Sequence, residues 1–434
     1  MDYKEALNYI HGTLKFGSKL GLENISVLLS RLGNPHKSFR VVHVAGTNGK
    51  GSVTAMITNM LHAGGYKVGM FISPYLERFT ERIQVGMEEI PEEELGRITG
   101  IVKEQVDNML AEGKNHPTEF EIVTAIGFYY FAECKVDYAV VEVGLGGRLD
   151  STNVVDPEVS VITSISYDHM DILGDTLSQI AFEKGGIIKE NKPVVSYPQP
   201  REAEKVLGDL ALNRHAPYYR VLPEQTVLRQ SDFERQVFDF SFGERVYSNI
   251  SIKLPGAHQL LNAATALTAV MVLMEGGLKL DSRAVYDGMA KTRWPGRMEK
   301  VGENPLVILD GAHNASGAEV LRDALERYFS GRRIHMVFGM LSDKDVEGVA
   351  GKLCPIAYRI IATRPDSPRA LDPGKLAGKI ARFNSRVEIC EDIAEAVRKA
   401  LDTTPADDII LISGSLYLIG AARAMLKSMV PVNV

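Results

Sequence analysis

Residues 41–52 read VVHVAGTNGKGS, an apolar β-branched segment ending in a small Gly-rich turn that carries Lys50 and Ser52. The run 53–62 that follows reads as a helix. A strand, a Gly-rich turn and a helix N-terminus in that order bring backbone N–H groups and an ammonium to one point, which is how a chain holds a polyphosphate. The common phosphate loop, G-x-x-x-x-G-K-[ST], places a Gly five residues before its second Gly, and here that position is Val44 before Gly49. Gly51 also separates Lys50 from Ser52. The stretch is a shortened variant of the loop, with its cation and hydroxyl still in order.

Around this stretch, 434 residues exceed one typical domain, so two or three are expected. A formal net charge of −6 argues against a nucleic-acid binder, which would present a basic face. Cys134, Cys354 and Cys390 are odd in number, widely separated and without metal-ligand spacing, which suits a reducing compartment. The opening MDYKEALNYI lacks a basic segment followed by an apolar core, and no apolar run reads as the roughly 18 residues of a membrane span. These features predict a cytoplasmic protein without a membrane partner.

Helical spacing of apolar residues covers 3–13 and 24–32, on either side of a Gly-rich loop at 16–21. After the phosphate loop an apolar strand, 68–72, runs into Ser73-Pro74-Tyr75. A strand end beside the first suits a residue that holds phosphate or its metal, and Ser73 before Pro74 also suits a plain turn. Helical patterns at 91–112 and 119–134 precede a strand at 138–143 that opens into GLGGRLDSTN. Glu142, near the end of that buried strand, needs a cation, either a metal or a neighbouring arginine such as Arg148. A strand at 159–165 leads to Asp168 and His169, donors for Mg²⁺ or structural residues. The helix 177–188 carries Lys184, by local pattern an ordinary solvated lysine.

Residues 225–254 alternate apolar and polar side chains (Val237, Phe238, Phe240, Phe242, Val246, Tyr247, Ile250, Ile252) and predict a small antiparallel sheet. An apolar helix at 260–274 then precedes Trp294-Pro295-Gly296-Arg297, where a domain boundary is expected. From Leu306 onward strands at 306–309, 334–338, 359–363, 387–390 and 408–412 alternate with helices, the signature of a doubly wound parallel sheet. Its strand ends carry Asp310, His313, Asn314, the run Ser342-Asp343-Lys344-Asp345, and Ser413 to Ser415. Ligands bind at such ends, so this domain should present polar groups to the nucleotide domain across a cleft. The fold class expected is α/β: an N-terminal P-loop domain that holds a polyphosphate and carries a small antiparallel sheet, 1–296, and a C-terminal Rossmann-like parallel-sheet domain, 297–434.

AGTNGKGS, ISPYLERFTERI, VEVGLGGRLDSTN, SYDHMDILG, EKGGIIK, PGR and LDGAHN occur in that order between about 22 and 415. In this the chain resembles the folylpolyglutamate synthase and dihydrofolate synthase family, a branch of the ATP-dependent peptide ligases that includes the bacterial cell-wall Mur enzymes. The resemblance makes the N-terminal P-loop domain an ATPase domain, and it implies ATP and Mg²⁺ as cofactors and an active site between the two domains. Thr47, Asn48, Gly49 and Lys50, with Gly51 and Ser52 of the same loop, would cradle the phosphates, and Asn262, Arg297 and Asp310 match ATP-binding positions. Ser73, Glu142 and His169 match magnesium ligands. Lys184 matches a lysine that the family carbamylates for use as an anionic metal ligand, and His313 belongs to the signature at the interdomain cleft. By the same analogy the loop 16–21 and the segment Thr118, Glu119, Phe120 and Glu121 help form the pterin or folate pocket, with Ser415 on the substrate side.

Two positions depart from the family pattern: Tyr75, often His, and Ala315 after His313-Asn314, often Pro. The implied reaction joins L-glutamate to the γ-carboxylate of tetrahydrofolate through an acyl phosphate, with Lys50 and Mg²⁺ offsetting charge and His313 or Asp310 orienting the amine. The alternatives are dihydropteroate as acceptor, alone or as a second activity, and a nucleotide-dependent switch. A monomer acting on small molecules is implied by analogy.

Overall fold

The computed structural model describes residues 1–17 and 21–429. The described residues build three sheets. The first contains β1 (Arg40–Ala45), β2 (Val68–Phe71), β3 (Ile83–Val85), β4 (Glu88–Glu89), β5 (Tyr138–Glu142), β6 (Val159–Ile162), β7 (Val194–Ser196) and β8 (Tyr218–Arg220). Their spatial order is β4-β3-β2-β5-β1-β6-β7-β8. The six strands from β2 to β8 in that order run parallel, and β3 and β4 add an antiparallel edge. All of β5 and all but the first residue of β1 are buried, as expected of parallel strands covered on both faces.

The strand β1 lies between β5 and β6, with its helical connection to β2 going one way and the path from β5 to β6 crossing it the other way. Such a reversal leaves a crevice at the strands' carboxyl ends, and the phosphate loop sits there. The helix expected at 53–62 spans Lys50–Ala63, beginning earlier because Gly49, at φ 89°, supplies a left-handed N-cap that a residue with a Cβ resists. Every side chain from Ser52 to Leu61 on it is buried, since the sheet covers one side and the helices Ala257–Glu275 and Ser282–Lys291 the other.

The helix Ala257–Glu275 corrects one expectation. It is long and apolar enough to cross a membrane, yet it is packed in the protein core. A helix apolar on all sides is satisfied by protein on all sides. Its other wall is the three-stranded antiparallel sheet of β9 (Thr226–Ser231), β10 (Gln236–Phe242) and β11 (Arg245–Ile252), whose inner face contributes Phe238, Phe240, Ile250 and Ile252 to the same core.

The third sheet holds β12 (Glu299–Glu303), β13 (Leu306–Asp310), β14 (Ile334–Phe338), β15 (Ala357–Ala362), β16 (Val387–Ile389) and β17 (Ile409–Ser413), in the order β12-β13-β17-β14-β15-β16. Five strands are parallel, and β12 is an antiparallel edge. The parallel αβ alternation is the one read from the sequence. Where the two halves meet, Phe233 of the β9–β10 hairpin stacks edge-on against Phe329 at 4.8 Å, and the Tyr328 hydroxyl is 3.0 Å from Ser231 Oγ and accepts from the backbone N–H of Gly256 at 3.1 Å. The carboxyl ends of β1, β5 and β6 thereby face those of β13 and β17.

Candidate active site

The turn after β1 is held open from behind. Thr47 donates its backbone N–H to the Ser164 carbonyl at 2.7 Å, and its hydroxyl exchanges hydrogen bonds of 3.1 Å with the backbone of Ser166. Lys50 Nζ folds back onto the carbonyls of Gly46 and Thr47, each at 3.1 Å. A Cβ on Gly51 would lie 2.3 Å from the Trp294 indole, so the extra glycine between Lys50 and Ser52 is the space that the indole fills. A Cβ on Gly49 would lie 2.5 Å from Asn262 Oδ1. Ser52 is buried and accepts from Gln259 Nε2 at 3.3 Å, and Asn262 Nδ2 donates to Gln259 Oε1 at 3.1 Å.

Asn48, Gly49, Ser52, Asn262, Arg297 and Asp310 line one cavity of about 260 Å³. The Asp310 carboxylate accepts the backbone N–H groups of Met298 and Ala312, both at 2.9 Å, and burial raises its pKa against the pull of Arg297. Asp310 therefore sits on the cavity that the phosphate loop lines.

A second cavity of about 440 Å³ collects Ser73, Thr118, Glu119, Phe120, His169, His313 and Ser415. Of the loop 16–21, Gly17 reaches this cavity, while residues 18–20 lie outside the described residues. Glu121 is not brought there. Its carboxylate accepts from the Thr118 N–H at 2.7 Å, the Thr118 hydroxyl at 2.9 Å and the Ile25 N–H at 3.2 Å, tying two helices together. Tyr75 packs on Phe79 at 5.8 Å beneath the Arg82 guanidinium, and Ala315 opens the helix Ala315–Tyr328 capped by Asn314.

Glu142 ends β5 with 5 % of its surface exposed. Burial pushes its carboxyl up to about 7, against the pull of Lys50, of a hydrogen bond from the Ser73 backbone N–H and of Arg297. Arg148, the alternative partner, is instead bonded to Glu183 at 2.9 Å. Lys184 is buried rather than solvated, and its Nζ donates to the Gly46 carbonyl at 2.9 Å. Burial, with Lys50 beside it, brings its ammonium down to about 7. Among the described residues no three His, Cys, Asp or Glu side chains form a metal cage. A buried carboxylate with no side chain bonded to it, beside the Ser73 backbone N–H, nevertheless has the donor chemistry a hard cation accepts.

Several contacts cross the cleft at this point, among them the Asn314 Nδ2 donating to Asp168 at 3.2 Å. Asn48 and Asn314 exchange side-chain hydrogen bonds of 3.3 and 3.1 Å. Lys344 Nζ donates to Asp168 at 2.8 Å and sits 3.2 Å from His169 Nε2. Burial would raise the Asp168 carboxyl, but Lys344 and His169 hold it well below the usual carboxylate range. The His313 Nδ1 lies 2.8 Å from the Gly311 carbonyl, which assigns the proton to Nδ1 and leaves Nε2 as an acceptor. Burial and the nearby Lys344 lower this imidazole to about 4.

The Mur ligase middle domain pattern matches residues 44–270, and the Mur ligase glutamate ligase domain pattern matches 296–416. Over 431 residues the chain is 42% identical to the dihydrofolate synthase/folylpolyglutamate synthase of Bacillus subtilis, covering 98% of this chain and 99% of that protein. The chain belongs to the folylpolyglutamate and dihydrofolate synthase family of Mur ligases. Crystal structures in this family superpose closely. The Thermotoga maritima folylpolyglutamate synthase matches with a TM-score of 0.86 at 39% identity, covering 98% of this chain and 97% of that one. The Mycobacterium tuberculosis folylpolyglutamate synthase, solved with ADP and AMPPCP, matches with a TM-score of 0.90 at 33% identity, covering 98% and 99%. Escherichia coli FolC, solved with DHPP and ADP, matches with 0.88 at 31% identity, covering 99% and 98%.

Within this family frame, sequence reasoning missed Asp150, Arg369 and Tyr417 on the larger cavity and His258 and Gln259 on the smaller. Asp150 had a signal, since it directly follows the GLGGRL turn: its carboxylate accepts the Leu145 N–H at 2.8 Å and shapes that loop. Arg369 had none, because its segment reaches the cavity through a bridge between Leu341 and Ala370.

Proposed function

We propose that the protein is an ATP-dependent ligase that adds L-glutamate to the γ-carboxylate of tetrahydrofolate and also joins glutamate to dihydropteroate. The observation that carries this is a pair of cavities, one lined by the phosphate loop, Asn262, Arg297 and Asp310, the other by Ser73, Thr118, His313 and Ser415. One accommodates the nucleotide and the other the acceptor with its incoming amino acid. The division between domains is placed at 296/297.

The acceptor carboxylate attacks the ATP γ-phosphorus, the bond to the bridging oxygen breaks, and ADP leaves with an acyl phosphate formed. The glutamate amine then attacks the acyl carbon, a C–N bond forms, and inorganic phosphate departs with the C–O electron pair and takes up the proton that the nitrogen loses. Lys50 offsets the charge on the phosphoryl oxygens during the first step. Asn262, Arg297 and Asp310 position the nucleotide. At about 4, His313 is too weak a base to hold the amine's proton, so it orients the amine through its free Nε2. Ser73, Glu142 and His169 would hold Mg²⁺, with Lys184 joining them as a carbamate; the ion supplies charge neutralisation on the phosphates. The Asn48–Asn314 contact shows the domains already approximated, an arrangement that excludes water from a hydrolysable acyl phosphate.

We read the protein as a cytoplasmic monomer acting on small molecules, with neither nucleic acid nor membrane as partner; its acidic balance and scattered cysteines support that reading. The test is ADP release with Mg²⁺-ATP and glutamate, comparing tetrahydrofolate, dihydropteroate and no acceptor, with products weighed for an added glutamyl unit. Turnover with both acceptors is expected. Dihydropteroate alone would leave only the synthase of dihydrofolate. ADP release without acceptor and without glutamyl product would return the switch reading.

A further inference from the structure

Helix Leu416–Met429 starts directly after Ser415 and carries Arg423 to a place, away from both cavities, where three segments of the chain meet. The guanidinium grips Glu299 with Nε at 2.9 and 2.8 Å and Nη2 at 2.7 Å, and it bonds Glu77 through Nη1. Lys427, one turn on, adds a 3.2 Å contact to Glu77. Side-chain exposures are 14 % for Arg423, 17 % for Glu77 and 21 % for Glu299.

Each partner leads to a site residue. Glu77 belongs to the loop leaving β2 after Ser73, and Glu81 makes that loop rigid by accepting the N–H groups of Leu76, Glu77 and Arg78 at 2.7, 2.9 and 2.8 Å. Glu299 lies two residues after Arg297 and accepts the Gly296 N–H at 2.9 Å. The backbones are fitted as closely as the charges: a Cβ on Gly420 would lie 2.0 Å from the Leu76 carbonyl oxygen, and one on Gly296 would lie 2.8 Å from Ile419.

A half-buried Glu–Arg–Glu triad adds little net stability, because desolvation offsets the attraction, and its best-attested use is to fix registry. A planar guanidinium satisfied on two sides accepts only a narrow range of orientations. We propose that Arg423 is a positioning residue: by tying the Ser73 loop and the Arg297 segment to the helix after Ser415, it sets the angle at which the two domains face each other. The Asn48–Asn314 and Asp168–Lys344 contacts involve residues that line the two cavities. The Arg423 triad touches neither cavity and stays as the pivot.

The kinetic arm of the test rests on the ligase reading, and a second arm does not. Removing Arg423 alone leaves Glu299 without a cation and Glu77 with Lys427 alone, so the deciding variant is E77Q/E299Q/R423M, which leaves no unpaired charge except the exposed Lys427, with R423K as the conservative partner. Trp294, the single tryptophan, lies against Gly51 and reports on the interdomain segment beside the phosphate loop. The triple variant is expected to unfold at nearly the wild-type temperature, with an altered Trp294 emission and a larger X-ray scattering radius. Its kcat should fall roughly 10²-fold, the scale of a misplacement of about 1 Å, while KM for ATP stays within about twofold, and R423K should recover part of the loss. A folded triple variant with wild-type kcat and scattering radius overturns the proposal, as does a kcat loss fully matched by a loss of folded protein. If the wild type forms no glutamyl product, the ligase reading fails, and scattering and emission still decide the pivot.

Discussion

Lys50 and Lys184 donate to the same oxygen, the Gly46 carbonyl, from 3.1 and 2.9 Å. Two ammonium groups on one acceptor repel, and the buried one yields: burial with Lys50 beside it leaves Lys184 at about 7, so a large share is neutral amine at physiological pH. A neutral amine is the form that adds CO₂. Protein equilibrated with ¹³C-bicarbonate should show a carbamate carbon that is missing in K184R. K184R should also release ADP about 10²-fold more slowly or worse, since the ligand charge is lost. Absence of the label together with a normal K184R rate would remove Lys184 from the metal site.

Glu142 and Lys184 give the metal-free protein an unusual pH profile. Glu142 is raised to about 7 from 4.5, so the folded chain holds the extra proton between those values and stability falls as pH rises through them. Lys184 is lowered to about 7 from 10.5, so there the unfolded chain holds the extra proton and stability rises with pH. Together they produce a dip near pH 7, on the order of a few kcal/mol deep. Urea midpoints in chelator should trace it, with E142Q flattening the acid side and K184M the alkaline side. Mg²⁺ should raise the midpoint at neutral pH, because it binds the ionised carboxylate. A monotonic profile in all three proteins contradicts the burial argument.

Lys50→Ala should leave the fold intact, since among the described residues its ammonium bonds only to loop carbonyls. It should cut acceptor-dependent ADP release by roughly 10²–10³-fold, the cost of deleting one preorganised donor at a site of developing charge. Full ADP release by a folded variant would sink the role given to this lysine.

Asn48 and Asn314 should be energetically coupled. A double-mutant cycle of N48A and N314A, read from unfolding midpoints, should show an interaction of about 0.5–3 kcal/mol. N314A alone carries a further loss of about 1 kcal/mol, because its side chain also caps the helix Ala315–Tyr328. Strict additivity would mean that the bridge across the cleft is not maintained in solution.

Much of the architecture is legible in the residues alone. The buried parallel strands stand out as continuous apolar runs, and the second αβ domain shows its alternation over more than a hundred residues. The short strands β3, β4, β7 and β8 are not separable from loops, because a period of two cannot be counted over so short a span, whereas β16, equally short, is placed by the regular alternation of its domain. The burial of Lys184 runs against its local pattern: a lysine in a mixed helix reads as solvated until the phosphate loop is known to pack over it.

By itself the sequence determined the classes of groups available: a Gly-rich turn with Lys50 and Ser52, a carboxylate at a strand end in Glu142, a polar loop around Asp310 and His313. These are read within a few residues of one another, and local backbone preference and hydrophobic period suffice to place them. Which of them meet was decided only by tertiary structure. Asn48 reaches Asn314, Asp168 reaches Lys344 and Glu77 reaches Arg423 across separations of 266, 176 and 346 residues. No local interaction encodes such pairings; they follow from the packing of the two sheets, which also buries Glu142 and Lys184 and so sets the protonation on which their chemistry depends.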